Sequence, residues 1–325
     1  MYFLGIDTSC YTSSIAIVDI NENLIYDGRI LLEVAAKEKG LRQSDATYQH
    51  MNNIPKLFSE AMKIVEANKL KGIGVSARPR NIEGSYMPVF TAGNNYAKVI
   101  AACTKAPIIE CSHQQGHIIA GAWSINKAFT DKHLVYHISG GTTELLQVSD
   151  INNEVAIIGG TQDLNAGQYI DRVGVALGMK FPCGKEMDNL CNDNENGSFV
   201  VPISVKDTTL SFSGPESHVQ RLIAKEAILD EIYKSKISKS VFLNIAKALE
   251  KTIINACIAN GIRDVLMVGG VASNTIISHK LQESTKAKEL GININISKPE
   301  YSADNAVGAA LYAKRVHQNF GGHNG

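Results

Sequence analysis

Alternating strand-like and helix-like segments along 325 residues predict an α/β protein made of two related domains that face one another. Two further observations support this. A strand, a polar or glycine turn and a second strand open each half, first over Phe3–Asp19 and again over Leu134–Val148. The chain is also 44% hydrophobic, enough at this length for two buried cores.

In chain order, Phe3 to Asp19 and Leu24 to Leu32 read as a three-stranded meander. Asp45 to Ala67 has helical spacing (Ile54, Leu57, Phe58, Ala61, Ile64, Val65), with Asp45 as its cap and Pro55 as an interruption. Gly72–Ala77 is a strand, Phe90–Ala102 a helix, and Pro107–Cys111 a strand feeding a histidine segment. After Lys127 the pattern restarts with strands at Leu134–Ile138, Glu144–Val148 and Val155–Ile158. Gln168–Leu177 is helical, Asn192–Asp207 is polar enough to be an exposed insertion, and Val241–Ala259 is an amphipathic helix. Asp264–Val268 is a buried-type strand. Ala303–Val316 is the last helix, started by Ser302 or Asp304, and the Gly-rich end is expected to fray. The division is expected at 1–130 and 131–325, with a helical insertion near 161–240 and the last helix returning to a cleft between the halves.

Lysine plus arginine equals aspartate plus glutamate, so net charge does not announce a nucleic-acid binder; such a partner needs a local basic face. The six cysteines form no C-x-x-C pair and read as reduced thiols. There is no signal-peptide pattern and no apolar run of membrane-spanning length, so a cytoplasmic protein with no membrane partner is expected.

Two strand–glycine turns, Ser139-Gly140-Gly141-Thr142 and Gly269-Gly270-Val271-Ala272-Ser273-Asn274, can bring backbone N–H groups close to phosphate oxygens. Their matching places in two halves point to a nucleotide cleft. His113 and His117 lie one helical turn apart, a spacing that suits two ligands of one metal ion, with Asp304 a candidate third. On its own, Asp304 is as well explained as a helix-start residue. Asp7, beside a Ser/Thr-rich turn, suits metal holding or water orientation, or a plain Asx turn. Asp171 reads as a solvated helix charge.

Taken together and in order, these segments resemble the TsaD family, the tRNA threonylcarbamoyladenosine transferases. Leu4-Gly-Ile-Asp-Thr-Ser-Cys10, His113-Gln-Gln-Gly-His117, Ser139-Gly-Gly-Thr-Thr-Glu-Leu, Ser211-Phe-Ser-Gly, Gly269-Gly-Val-Ala-Ser-Asn and Ala303-Asp304-Asn305 each resemble a family motif. The resemblance implies an actin-like ATPase (ASKHA) fold around a nucleotide cleft. It implies transfer of a threonylcarbamoyl group from threonylcarbamoyl-adenylate to N6 of the tRNA adenosine beside the anticodon, with Asp7 catalytic. It implies iron or zinc on His113, His117 and Asp304, and an adenylate pocket of Ile138, Ser139, Gly140, Gly141, Thr142, Asp171, Gly184 and Asn274. It also implies partners: tRNA, a shorter paralogous subunit and a small ATPase. The chain departs from the family at Tyr11-Thr12 (Asp-Glu in the family), Arg78-Pro79-Arg80 (Gly-Pro-Gly), Gln115 (Glu), Thr142 (His) and Pro215-Glu216 (Leu-Lys). The alternatives left open are a nucleotide- and metal-binding paralogue without transfer activity, and a small-molecule kinase or carbamoyl transferase on the same fold.

Overall fold

The computed structural model describes residues 1–9, 11–34, 41–129, 132–150, 154–192 and 197–321, so Cys10 and the C-terminal tetrapeptide lie outside the described residues. The chain divides into two units. Unit 1 comprises Met1–Ser124 and Ala303–Gly325; unit 2 comprises Ile125–Asp150 and Glu154–Ser302. The division therefore falls at 124/125 rather than 130/131, and the last helix belongs with the N-terminal sheet.

Unit 1 contains β1 (Tyr2–Asp7), β2 (Thr12–Asp19), β3 (Leu24–Leu31), α1 (Gln43–Ala61), β4 (Leu70–Arg78), α2 (Phe90–Thr104), β5 (Ile108–Ser112) and α3 (His113–Ser124). Its sheet runs β3-β2-β1-β4-β5. The meander pairs antiparallel from Tyr2↔Asp19 to Asp7↔Ser14, and β1, β4 and β5 run parallel. Leu4, Ile6, Ile15, Ile17, Ile73 and Val75 form one buried face with Ile54 and Leu57 of α1 and Ala97 and Ile100 of α2. Asp45 sits in the first turn of α1 rather than capping it, and the helix stops at Ala61. Pro55 does not break α1. It leaves the Met51 carbonyl without its i+4 amide partner, and the Tyr96 hydroxyl donates to that carbonyl at 2.8 Å instead.

Unit 2 contains β6 (His133–Ile138), β7 (Thr143–Asp150), β8 (Glu154–Thr161), α4 (Ala166–Ala176), α5 (Gly184–Asn192), β9 (Ser204–Lys206), β10 (Thr209–Ser211), α6 (Ser213–Lys225), α7 (Glu231–Asn260), β11 (Asp264–Val268), α8 (Thr275–Gln282), α9 (Thr285–Glu289), β12 (Asn293–Ile296) and α10 (Pro299–Ser302). Its seven strands run β12-β11-β6-β7-β8-β10-β9, with β11 parallel to β6 in the register Val265↔Leu134 to Val268↔His137. The core centres on α7, whose Ile237, Val241, Ile245, Leu249 and Ile253 are fully buried. Within the expected exposed insertion, Val201 is buried, the Asn244 amide donates to the carbonyls of Val201 and Pro202, and β9 joins the sheet edge.

The chain returns to unit 1 as α11 (Val307–Gly321), which packs on α3, β1 and β4. Its capping residue is Asn305, whose Oδ1 accepts from the Val307 N–H at 3.0 Å; neither Ser302 nor Asp304 plays that part. Among the described residues no helix is long and apolar enough to cross a membrane, and the five described cysteines are free thiols.

Candidate functional site

β5 delivers His113 to the first position of α3, and Ser112 and Gln115 close a capping box at that end. The Gln115 side-chain oxygen accepts from Ser112 N at 2.9 Å, and Ser112 Oγ accepts from Gln115 N at 3.1 Å. Glutamine and glutamate serve equally in such a box, so the departure at Gln115 keeps the local structure. Ser-x-x-Gln before a helix was the sequence signal for it.

Three glycines place the third carboxylate. A Cβ at Gly308 would lie 1.9 Å from the Gly116 carbonyl oxygen. One at Gly5 would lie 2.1 Å from the Ala306 oxygen, and one at Gly74 1.9 Å from the Ala309 oxygen. These glycines let α11 and the turn before it sit directly on α3, β1 and β4, helped by Ser14 Oγ, which accepts from Ala306 N at 2.9 Å. Asp304 thereby reaches both histidines: its Oδ1 lies 3.4 Å from His113 Nε2 and 3.3 Å from His117 Nε2, and the two Nε2 atoms are 3.0 Å apart. An ion about 2.1 Å from each donor, with donors 90–109° apart, sets donor spacings of about 3.0–3.4 Å. His113, His117 and Asp304 thus have the chemistry and spacing of one face of a coordination shell.

Asp7 is 1% exposed. Its Oδ2 lies 2.9 Å from His113 Nδ1, and its Oδ1 accepts from the Ser9 amide and hydroxyl. This carboxylate fixes the ring so that Nε2 faces His117 and Asp304. Burial alone would raise the Asp7 carboxyl, but the His113 ring and the Ser76 hydroxyl hold it below the ordinary carboxylate range. Burial pushes His113 toward its neutral form, yet Asp7 and Asp304 prevail and hold its pKa up at about 10. Asp304 is half-buried; desolvation would raise its carboxyl, but bonds to both histidines hold it well below the usual range. Without an ion, then, a proton on His113 balances the carboxylates, and a bound cation would take its place.

Four hydroxyls of the Ser/Thr turn beside Asp7 are already engaged within the protein. Thr8 Oγ1 donates to Val89 O and accepts from Gly93 N, the Ser9 hydroxyl bonds Asp7, Ser13 bonds His50 and Asn53, and Ser14 holds Ala306. Arg78 is likewise engaged, by Asn81 at 2.8 Å and Glu110 at 3.5 Å. A small-molecule kinase on this fold would find these four hydroxyls and the Arg78 guanidinium already engaged. Tyr11 stands 45% exposed.

Unit 2 gathers the other candidates. Both glycine turns lie in this one unit, at the carboxyl ends of the adjacent strands β6 and β11, not in matching places of two halves as the pattern suggested. They touch: a Cβ at Gly269 would meet the Ile138 oxygen at 2.3 Å. Gly140, Gly141 and Gly270 have nothing within 4 Å of an added Cβ. The first turn is closed by Ser139 N donating to Thr142 O at 2.8 Å. The start of α4 sits against it, with Gly167 in contact with Gly140 and Ala166 N donating to Thr143 Oγ1. An open turn beside a helix N-terminus suits an anion. Further along α4, Asp171 is half-buried rather than solvated, accepts from Cys183 N at 2.8 Å, and has its carboxyl pushed up by burial. Gly184 begins α5 immediately after. Asp188 of α5, which sequence reasoning passed over, bonds the Thr275 hydroxyl and amide; the neighbouring Asn274 is 9% exposed and caps α8. The Ser211-Phe-Ser-Gly motif wraps Asp163, also unforeseen, which accepts from Ser211 Oγ, Phe212 N and the Ser213 hydroxyl. Partial desolvation would raise this exposed carboxyl, but these donors keep it well below the ordinary carboxylate range.

Comparison with known proteins adds to this geometry. The model of the TsaD family, tRNA N6-adenosine threonylcarbamoyltransferase, matches residues 29–311. A Fervidobacterium nodosum tRNA N6-adenosine threonylcarbamoyltransferase is 28% identical over 322 residues, covering 94% of this chain and 90% of the relative. Among solved structures, component A of (R)-2-hydroxyglutaryl-CoA dehydratase from Acidaminococcus fermentans aligns with a TM-score of 0.56 at 18% identity, covering 98% of this chain and 99% of that one. A ROK family glucokinase from Streptomyces griseus aligns with a TM-score of 0.53 at 10% identity, covering 97% and 100%. The two mixed sheets flanked by helices have the actin-like ATPase fold.

Proposed function

The chain belongs to the tRNA N6-adenosine threonylcarbamoyltransferase family, and from that premise we propose that it moves the threonylcarbamoyl group of threonylcarbamoyl-adenylate onto N6 of the tRNA adenosine beside the anticodon. The observation that carries a metal-dependent form of this reaction is the triangle of His113, His117 and Asp304 at ligand-to-ligand spacing, with Asp7 on the far nitrogen of His113. A bound iron or zinc ion would supply Lewis-acid polarisation of the carbamoyl or phosphate oxygens.

The chain's own residues divide the remaining work. Asp7, saturated and buried, acts through His113 as a positioning residue and does not touch substrate, in place of the catalytic part first expected for it. The Ser139–Thr142 turn and Gly270 offer backbone N–H groups and free space to the adenylate phosphate, the leaving group. Asp171, Gly184 and Asn274 complete that pocket along α4, α5 and α8. The tRNA contact is shared with a shorter paralogous subunit and a small ATPase, in keeping with the zero net charge, and the reaction takes place in the cytoplasm.

The test is reconstitution: the purified chain, the metal, tRNA and the partner subunits, with the modified nucleoside read by mass spectrometry. Product formed by wild type and lost in His117→Ala supports the reading. Adenine-nucleotide and metal binding with no product under any partner combination favours the second one, a binding paralogue. The exposed Tyr11, where the family carries an acidic residue, motivates that alternative.

A further inference from the structure

Two helices carry the candidate ligands. His113 and His117 stand at the start of α3, and Asp304 lies just before α11. The helices touch where Gly308 meets the Gly116 carbonyl oxygen. Away from the ligands, the turn between β2 and β3 holds both of them. Trp123, near the end of α3, donates from its indole Nε1 to the Glu22 carbonyl oxygen at 3.0 Å. The Glu22 carboxylate accepts from Lys314 Nζ at 3.2 Å and from Arg315 Nε at 3.4 Å, both on α11. Glu22 thus grips α3 with its backbone and α11 with its side chain.

An exposed ion pair would contribute little. This one differs in three respects. It is sheltered: the Glu22 side chain is 25% exposed and that of Lys314 10%. Burial would raise the Glu22 carboxyl, but Arg315 and Lys314 hold it below the ordinary carboxylate range. The turn is itself braced, because the Asp19 carboxylate accepts from Asn21 N, Asn23 N and Asn23 Nδ2 at 2.8–2.9 Å. Finally, Glu22 sits at φ +64°, a conformation that glycine takes without strain and glutamate seldom adopts. A turn that needed only its shape would be better served by glycine; glutamate brings the carboxylate.

The leverage is large enough to matter. From the Gly116–Gly308 contact, Trp123 lies seven residues along α3, about 10 Å, and His113 three residues the other way, about 4.5 Å. A pivot at the glycines that opens the Trp123 end by about 1 Å shifts the ligand end by about 0.4 Å. Metal–ligand distances tolerate about 0.2 Å.

We infer that Glu22 is a positioning residue for the metal site: its turn staples α3 to α11 at the end away from the ligands and so sets the spacing between the two histidines and Asp304. This rests on the metal-dependent form of the proposed reaction and adds a control point outside the ligand shell. Glu22 acts through the two helices, and the transfer chemistry does not pass through it.

The experiment titrates zinc into the metal-free full chain against a chelator, with the thermal midpoint recorded beside it. Glu22→Ala and Glu22→Gly should each weaken zinc binding by about 5- to 10-fold. Glycine relieves the left-handed strain, so its midpoint should lie above that of Glu22→Ala while the two zinc affinities agree. Glu22→Gln keeps the length and the acceptor oxygen but not the charge, and should fall between these variants and wild type. Trp123→Phe releases α3 and should weaken zinc binding as well. The double variant Glu22→Ala/Trp123→Phe should be no worse than the worse single one, because either break opens the same staple. Ser284→Ala, which uncaps α9 in unit 2, should lower the midpoint and leave zinc affinity at its wild-type value. Trp123 is the only tryptophan of the chain, so its indole N–H gives one NMR signal. That proton should exchange with solvent more slowly when zinc is bound to wild type, and not when zinc is bound to Glu22→Ala. Equal zinc affinity in wild type, Glu22→Gly and Trp123→Phe overturns the inference, as do fully additive losses in the double variant; the transferase reading survives both. Wild type that binds no zinc overturns the inference together with the metal site. Zinc affinity that depends on Glu22 as described, with no modified nucleoside under any condition, sinks the transferase reading alone.

Discussion

In unit 1 a methyl group added at Gly308 would sit 1.9 Å from the Gly116 carbonyl oxygen, whereas one added at Gly140 or Gly141 in unit 2 would meet nothing within 4 Å. The same residue type serves opposite ends. In unit 1, glycine removes side chains so that backbone can touch backbone, and that contact carries Asp304 to the histidines. At the Gly140-Gly141 turn of unit 2, glycine keeps space empty where a ligand's phosphate has room to enter. The triangle of His113, His117 and Asp304 is thus a product of packing, and the open space at the Gly140-Gly141 turn a product of its absence.

The sharpest way to break this comparison is Gly308→Val. The added side chain collides with backbone that cannot move without displacing α11, so unfolding free energy should fall by about 3 kcal/mol or more, with loss of bound metal. Denaturant melts and metal analysis measure both; a stable variant with full metal content would refute the packing account. Next comes Asp7→Asn. With the ring's partner neutralised, metal affinity at pH 9 should drop about 10- to 100-fold, read by competition with a chelator.

A third effect is pH dependence. In the metal-free wild type His113 holds its proton up to about 10, and the ion needs the same Nε2. Each binding event therefore releases a proton, and affinity should climb about tenfold per pH unit from about pH 7 to about pH 10, then level off. In Asp7→Asn the His113 pKa moves down, so the plateau should begin earlier and the gap to wild type should narrow toward pH 7. The smallest expected effect on stability is Gly140→Ala, within about 0.5 kcal/mol, because its Cβ enters open space. Adenine-nucleotide affinity should nonetheless fall, as isothermal titration can measure. A change in stability without a change in nucleotide affinity would reverse the assignment of the turn.

What could be read from the sequence and what could not follows from the range of the interactions. β1, β2, α2 and β11 and the one-turn spacing of His113 and His117 are written in local periodicity, and each is found where expected within a few residues. The parallel pairing of β6 with β11 joins segments far apart in the chain, so nothing local showed that the two glycine turns share one unit; their resemblance in pattern suggested two matching halves instead. Asp304 reads as a helix start because its sequence neighbours look like one. Its real surroundings come from Gly5, Gly74 and Gly308, and Asn305 takes the cap. The Ser112–Gln115 box was legible but overshadowed by the histidines around it.

The route of α11 has a consequence for how the protein is made. Ser14 and Ala306 are joined by a hydrogen bond across 292 residues. A ribosome that has finished all five strands of the first sheet has yet to translate the helix that covers one of its faces. That glycine-bearing face stays uncovered while unit 2 is being synthesised, so unit 1 closes only once α11 has been made, at a rate limited by a long loop. If the proposed ion binds there, its capture comes late in the birth of the molecule, since His113 and His117 emerge early and Asp304 only just ahead of α11.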